Sequence, residues 1–259
     1  MDGVPPGDRL VLPAGIESAV WRGDQMAEPP AAVLPSGHAA LDAELPGGGW
    51  PCGALTELLQ PQPGVFEWRL LGPALRARLK AGGSVVLVAP PQHPHLPGLR
   101  KQGLDPRRLV WVEAATPAER LWATEQVIKS NPEGAVLAWL PQLRPEQVRR
   151  LQVWAQQGDA PVFLFRPASA QLEASAAPLR LLLALGDRGS VQLQVLKRRG
   201  PVHDGVVELD SVQPALGRVL AHRFRAATPA SLPLSDLEHS NAVLAGSDTF
   251  VSRSLPVSP

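Results

Sequence analysis

The stretch that decides the fold is Pro35-Ser36-Gly37-His38-Ala39-Ala40-Leu41-Asp42-Ala43-Glu44-Leu45-Pro46-Gly47-Gly48-Gly49-Trp50-Pro51-Cys52-Gly53. It runs at once into Ala54-Leu55-Thr56-Glu57-Leu58-Leu59 and then Gln60-Pro61-Gln62-Pro63-Gly64-Val65-Phe66-Glu67-Trp68. Ser36 is placed to cap a short helix with Leu41 and Leu45 as its apolar face. The run Gly47-Gly48-Gly49 admits unusual backbone angles, and Pro51 to Gly53 turn the chain. A short apolar run bounded by such turns reads as a buried strand. The order is therefore helix, glycine hinge, strand, loop, and a second helix over residues 66–80.

Outward from there, four more apolar runs repeat the strand signal, at residues 84–89, 109–113, 135–140 and 161–165, and the whole set of five reads as strands buried on both faces. Segments 117–130 and 145–156 have helical character, and such alternation predicts crossover units on a parallel sheet. Thr116, Pro117 and Glu119 spell a capping box. In the later helix, opened by Pro145, the residues Val148, Leu151 and Trp154 or Ala155 form the apolar stripe, with Arg149 and Arg150 turned to solvent. Beyond Phe165 the runs 180–185, 191–198 and 205–209 are separated by Gly-Asp-Arg-Gly and Gly-Pro turns. Strict alternation in Val191-Gln192-Leu193-Gln194-Val195 predicts an antiparallel, half-buried extension. The expected architecture is α/β, a mostly parallel central sheet flanked by helices with an antiparallel C-terminal extension. Residues 1–33 form an N-terminal arm with a short helix, 34–225 the domain, and 226–259 a disordered Ser/Pro/Ala-rich tail.

Composition narrows the class. With 44% hydrophobic and 19% charged residues over 259, the chain is neither charge-disordered nor fibrous, and no apolar run approaches the roughly 20 residues of a membrane span. One cysteine, Cys52, rules out an internal disulfide framework. The N-terminus MDGVPPGDRL lacks the basic-then-apolar order of a signal peptide, so the expected location is the cytoplasm. The net charge of +1 hides an uneven distribution: residues 1–59 carry 2 basic and 8 acidic side chains, and residues 60–110 carry 8 basic and 2 acidic. Such a pair of segments suits internal docking or a polyanion surface.

The lead-in resembles the entry to a RecA-like ATPase core, in an active member of which the loop after the first strand should read G-x-x-x-x-G-K-[ST], its backbone N–H groups cradling phosphates while Lys and Ser/Thr serve the phosphate oxygens and magnesium. Here Gln60, Pro61, Gln62, Pro63 and Gly64 supply neither the lysine nor the hydroxyl. The two prolines remove donors, and Glu67 brings negative charge to the helix start. Arg69 is the nearest cation, farther into the helix. The run 135–140 ends without the magnesium-binding Asp, and the run 84–89 ends in Pro90-Pro91-Gln92 without the water-activating acid, that a RecA-like enzyme would be expected to offer there. These absences point to a degenerate nucleotide loop: no enzyme, no cofactor, no catalytic residue. His93 and His95, in a proline-rich loop with no nearby Cys or carboxylate in the sequence, do not make a metal site. Lys197, Arg198 and Arg199, at the end of what reads as an edge strand, are candidate contacts for DNA or a partner.

The series Ser36-Gly37, Leu41-Asp42 and Gly47-Gly48-Gly49 through Pro51 and Gly53 resembles the lead-in to a RecA-like ATPase core. Together with Val20-Trp21-Arg22-Gly23, the Gln-Pro-Gln-Pro-Gly loop, Leu70 to Leu75 and Leu196-Lys197-Arg198-Arg199-Gly200, the chain is similar to the ImuA family of translesion-synthesis accessory proteins over roughly residues 16–210. That resemblance implies a RecA-like domain without ATPase chemistry in the bacterial DNA-damage (SOS) response. It would serve as an adaptor with ImuB, a polymerase-like protein, and an error-prone C-family DNA polymerase, with RecA as a further partner. The alternatives are a SulA-like cell-division inhibitor that binds FtsZ and an ATPase with an irregular phosphate loop.

Overall fold

The computed structural model describes residues 32–209, apart from 94, 132, 187–188 and 201–204. All but the end of the expected N-terminal arm, its Val20 to Gly23 motif, residues 210–225 of the expected domain and the expected tail lie outside the described residues.

The chain runs β1 (Val33–Leu34), α1 (Ala39–Asp42), a 3-10 turn (Pro46–Gly48), β2 (Trp50–Pro51), β3 (Ala54–Gln60), α2 (Glu67–Lys80), β4 (Val85–Val88) and α3 (Leu96–Lys101). A 3-10 turn (Pro106–Arg108), β5 (Leu109–Val112), α4 (Pro117–Ser130), β6 (Ala135–Trp139), α5 (Pro145–Ala155) and β7 (Pro161–Pro167) follow. A last 3-10 turn (Ala168–Leu172) leads to β8 (Leu179–Leu185), β9 (Val191–Lys197) and β10 (Val206–Leu209). The main sheet has eight strands in the order β10-β9-β8-β3-β7-β6-β4-β5; β9 pairs antiparallel with both neighbours, and every other pairing is parallel. A two-stranded ladder, β1 with β2, stands apart from it.

Strand alternation divides the core into two layers. Leu58, Leu87, Leu137, Phe163 and Phe165 face α1, α2 and α3, where they join Leu41, Leu45, Trp50, Leu70, Leu71, Leu75 and Leu99. Leu55, Val86, Val88, Val136, Val162 and Leu164 face α4 and α5, against Leu121, Ile128, Val148, Leu151 and Ala155. Trp50 is fully buried with its ring edge-on to Phe163 at 5.3 Å, and this contact fastens the lead-in segment to the sheet.

Most element ends fall within a residue or two of the sequence reading. The Thr116–Glu119 capping box forms with both hydrogen bonds, and Pro145 starts α5 with Val148, Leu151 and Ala155 buried and Arg149 and Arg150 exposed. Three expectations need correction. β5 is an edge strand, not one buried on both faces: Val110 is 50% and Trp111 37% exposed, because β4 is its sole ladder partner among the described residues. β9 is not an edge, since β10 covers it. Ser36 does not cap α1, whose N-cap is His38 with no side-chain cap bond. Ser36 closes a local turn instead: its Oγ accepts from the His38 N–H at 3.1 Å, and its own N–H donates to Asp42 Oδ1 at 2.8 Å. The helix α3 was hidden in the sequence by its prolines; Pro97 sits in its first turn, where a missing N–H costs nothing.

Candidate functional site

β3 lies in the middle of the sheet, and the chain leaves it for β4, three places away, by way of α2 on one face. From β6 the chain departs to α5 on the other face. The ends of β3 and β6 therefore border the crevice where crossovers diverge, the usual ligand position in open α/β sheets. The segment from Gln60 to Glu67 fills that position.

The geometry there centres on Glu67, 2% exposed in the first turn of α2. Its Oε1 accepts from the Gly64 N–H at 2.8 Å, from Gln60 Nε2 at 2.9 Å and from the Trp139 indole Nε1 at 3.1 Å, and its Oε2 accepts from the Phe66 N–H at 3.1 Å. Four donors thus converge on one carboxylate at a helix N-terminus, where the helix dipole favours negative charge. The arrangement is the one a bound phosphate oxygen would enjoy, with a side chain of the same helix as the anion. Trp139 is held to this duty by stacking on Phe165, 4.7 Å between centroids and 19° between planes. Gly64 adopts φ +87, which lets its N–H point inward, and Gln92 from the β4–α3 loop stands about 4.0 Å from where a Gly64 Cβ would lie. Pro61, Gln62 and Pro63 are exposed on the outside of the loop. Arg69 turns away: its guanidinium donates to the Gly189 carbonyl at 3.0 Å.

The lead-in residues hold this loop's surroundings in place rather than line it. Gly37, at φ +80, lies so close to α2 that a Cβ there would sit 2.4 Å from the Pro73 Cβ. Leu41 is fully buried, Asp42 ties back to Ser36, Gly47 and Gly48 belong to the 3-10 turn, and Gly49 backs onto the Leu34 carbonyl. Pro51 pairs with Val33, and Gly53, at φ +63, passes against the Gly158 carbonyl at the far end of β3. The motif is thus a docking clip that presses the segment before β3 onto the sheet and α2.

A buried ionic network that the sequence reading missed lies on the opposite face of the same strand. Glu57, fully buried on β3, accepts from Arg166 Nη1 at 3.1 Å and from Arg180 Nε at 2.6 Å. Arg166 also reaches Glu173 at 2.6 Å, and Arg180 donates to the carbonyls of Glu173 and Ala170. Glu57 is paired across the ladder with Arg180, so the register puts acid beside base. A single charged residue inside an apolar run was the available signal.

The late basic triplet is engaged in structure. Lys197 Nζ donates to the Ser175 carbonyl at 2.8 Å, and Arg198 Nη1 binds the Glu44 carbonyl and, at 3.3 Å, its carboxylate. Arg199 also interacts within the chain. His93 meets a carboxylate absent from its sequence neighbourhood, Glu113 at 3.7 Å, while His95 Nδ1 accepts from the Gly98 N–H at 3.3 Å. Among the described residues, no three His, Cys, Asp or Glu side chains converge as metal ligands do, and no helix is long and apolar enough to cross a membrane. Burial pushes the Cys52 thiol above its ordinary value, with Asp159 adding to the effect and Arg78 opposing it.

No family model matches the chain. It is similar to cell division inhibitor SulA of Photorhabdus laumondii, 31% identical over 109 residues, a match that takes in 33% of this chain and 62% of that protein. It is likewise similar to SulA of Serratia marcescens, 29% identical, and of Yersinia pestis, 26% identical, each match taking in 44% of this chain and 68% of the relative. Each match leaves more than half of this chain without a counterpart.

Proposed function

We propose that this chain is a non-catalytic accessory protein of RecA-like fold. In this reading it acts in DNA-damage-induced, error-prone translesion synthesis, as an adaptor that brings together an ImuB-like polymerase homologue and an error-prone C-family DNA polymerase. The non-catalytic part rests on one observation. The Glu67 carboxylate takes the four donors at the start of α2, so a nucleotide phosphate entering there would meet an occupied cradle and a like charge. The RecA-like assignment is supported by a central β3 followed by this loop, by crossovers to both faces, and by the antiparallel β8-β9-β10 extension. Similarity to SulA supports the damage-response setting. A contact with RecA belongs to the same proposal: a RecA-like subunit without nucleotide chemistry would cap a filament whose interfaces need nucleotide.

The SulA similarity favours a second reading, a cell-division inhibitor that binds FtsZ. Size-exclusion chromatography of the purified chain, mixed in turn with the ImuB-like protein, the C-family polymerase and FtsZ, separates the two. A stable complex with the first two and none with FtsZ is the adaptor result. Arrest of FtsZ polymerisation, with no complex on the polymerase side, overturns it in favour of the inhibitor.

A further inference from the structure

Four of the eight basic side chains of residues 60–110 lie on α3 and the 3-10 turn before β5, far in sequence from the basic triplet at the end of β9. The C-terminal turn of α3 carries Arg100 and Lys101, and the 3-10 turn that leads into β5 carries Arg107 and Arg108. Arg100 and Arg107 line one open cavity of about 420 Å³ together with Gly103, Leu104, Asp105 and Pro106. The surrounding chain is tied to α2: Arg76 Nη1 donates to the Gln102 carbonyl at 2.7 Å, and Arg108 Nη1 to the Leu79 carbonyl at 3.3 Å. The one acid of the cavity wall, Asp105, accepts from the Arg107 backbone N–H at 3.0 Å as the cap of its turn. Among the described residues, the side chains of Arg100, Lys101 and Arg107 are exposed and have no hydrogen-bond or ion-pair partner.

Cations in the last turn of a helix are explained by the helix dipole alone, and that account covers Arg100 and Lys101. It does not cover Arg107 and Arg108, which precede a strand, nor the convergence of Arg100 and Arg107 on one concavity. A second feature lies on the strand that follows the turn. Trp111 on β5 pairs with Leu87, whose side chain faces α2 and α3, so the indole is on the face that α3 covers. It is 37% exposed, and the His93 ring stands edge-on at 6.2 Å. Three unpaired cations on α3 and the turn before β5, and a partly exposed indole on β5 itself, are the elements with which proteins hold single strands.

We propose that the α3–β5 corner binds single-stranded nucleic acid, with Arg100, Lys101 and Arg107 on backbone phosphates and Trp111 as a base-stacking platform. This surface stands independently of the adaptor reading and of the Glu67 loop. Fluorescence anisotropy with a labelled oligothymidylate, an oligouridylate, a DNA duplex and polyglutamate tests it on the full chain. Saturable binding to either single strand is expected at about 50 mM salt, weakening steeply toward 200 mM. Replacing Arg100, Lys101 and Arg107 together by Ala should weaken it at least tenfold and reduce the salt slope by about 2. Trp111→Ala should weaken it by roughly fivefold to a hundredfold. Arg100→Lys with Arg107→Lys, and separately Lys197→Ala, should each stay close to wild type. Absence of binding at low salt, binding indifferent to the triple replacement while circular dichroism shows a folded variant, or equal affinity for duplex or polyglutamate would overturn the proposal.

Discussion

Replacing Glu67 by Ala removes the acceptor of four donors. Three of these, the Gln60 amide, the Phe66 N–H and the Trp139 indole, make buried bonds, and the fourth, the Gly64 N–H, is partly buried. A buried donor left without a partner costs about 1–3 kcal/mol, so three of them, with some relief from water entering the loop, predict a loss of about 3–6 kcal/mol. Against the 5–15 kcal/mol typical of a domain, that is a large fraction. With a urea m-value near 2–3 kcal/mol/M, the midpoint falls by about 1–3 M. Glu67→Gln separates charge from hydrogen bonding. Its carbonyl oxygen keeps the Gly64, Gln60 and Trp139 donors, but its amide group opposes the Phe66 N–H, so the predicted loss is about 1–3 kcal/mol. The emptied cradle of Glu67→Ala should also accept an anion: inorganic phosphate at ten times its dissociation constant would restore about 1.4 kcal/mol in the variant and nothing specific in the wild type, with chloride as the control. Urea unfolding followed by tryptophan fluorescence reads both effects. A Glu67→Ala midpoint indistinguishable from wild type, or phosphate stabilising both proteins equally, would refute the reasoning.

Three further outcomes follow from the structure. Glu57→Gln leaves the Arg166 and Arg180 guanidinium groups buried without their shared carboxylate and should cost about 3–5 kcal/mol in urea unfolding, as should Arg180→Met; the double variant should cost less than the two combined. The backbone N–H groups of Thr116 and Ala115 hold Glu119 below its ordinary carboxylate value of 4.5. The capping box therefore stabilises at pH above that value and is lost as pH falls through the lower folded value; the stability gap between wild type and Glu119→Ala should be full at neutral pH and close in acid. Because burial raises the Cys52 thiol, iodoacetamide should label the native protein more slowly than the urea-unfolded chain at neutral pH, with the two rates converging in alkali.

The parallel core was legible because β3, β4, β6 and β7 are buried on both sides and so leave uninterrupted apolar runs, while Thr116-Pro117 and Pro145 punctuate the helices. The same signal misled at β5, whose Leu-Val-Trp-Val is as apolar as a central strand although its outer edge carries no ladder partner among the described residues. The loop's lack of a lysine was readable from Gln60 to Glu67. Its consequence was not: that Glu67 folds back to meet the Gly64 N–H depends on the φ of Gly64, and the Trp139 indole arrives from a residue 72 positions away. Charge followed the same rule. Lys197-Arg198-Arg199 reads as a free patch, yet Glu44 and Ser175 hold Arg198 and Lys197 only once the sheet has closed. Arg100 and Arg107 reach a common cavity only because α3 and the following 3-10 turn fold against each other.

In the proposed function, the loop after β3 holds the chain's own carboxylate where a nucleotide phosphate would sit, and the protein would act by binding partners rather than by ATP hydrolysis. Isothermal titration of the wild-type chain with ATP and magnesium, carried to millimolar nucleotide and paired with a phosphate-release assay, tests it most directly. The expected result is no saturable heat and no release above the protein-free rate. Saturable binding accompanied by turnover that is lost in Glu67→Gln would contradict it.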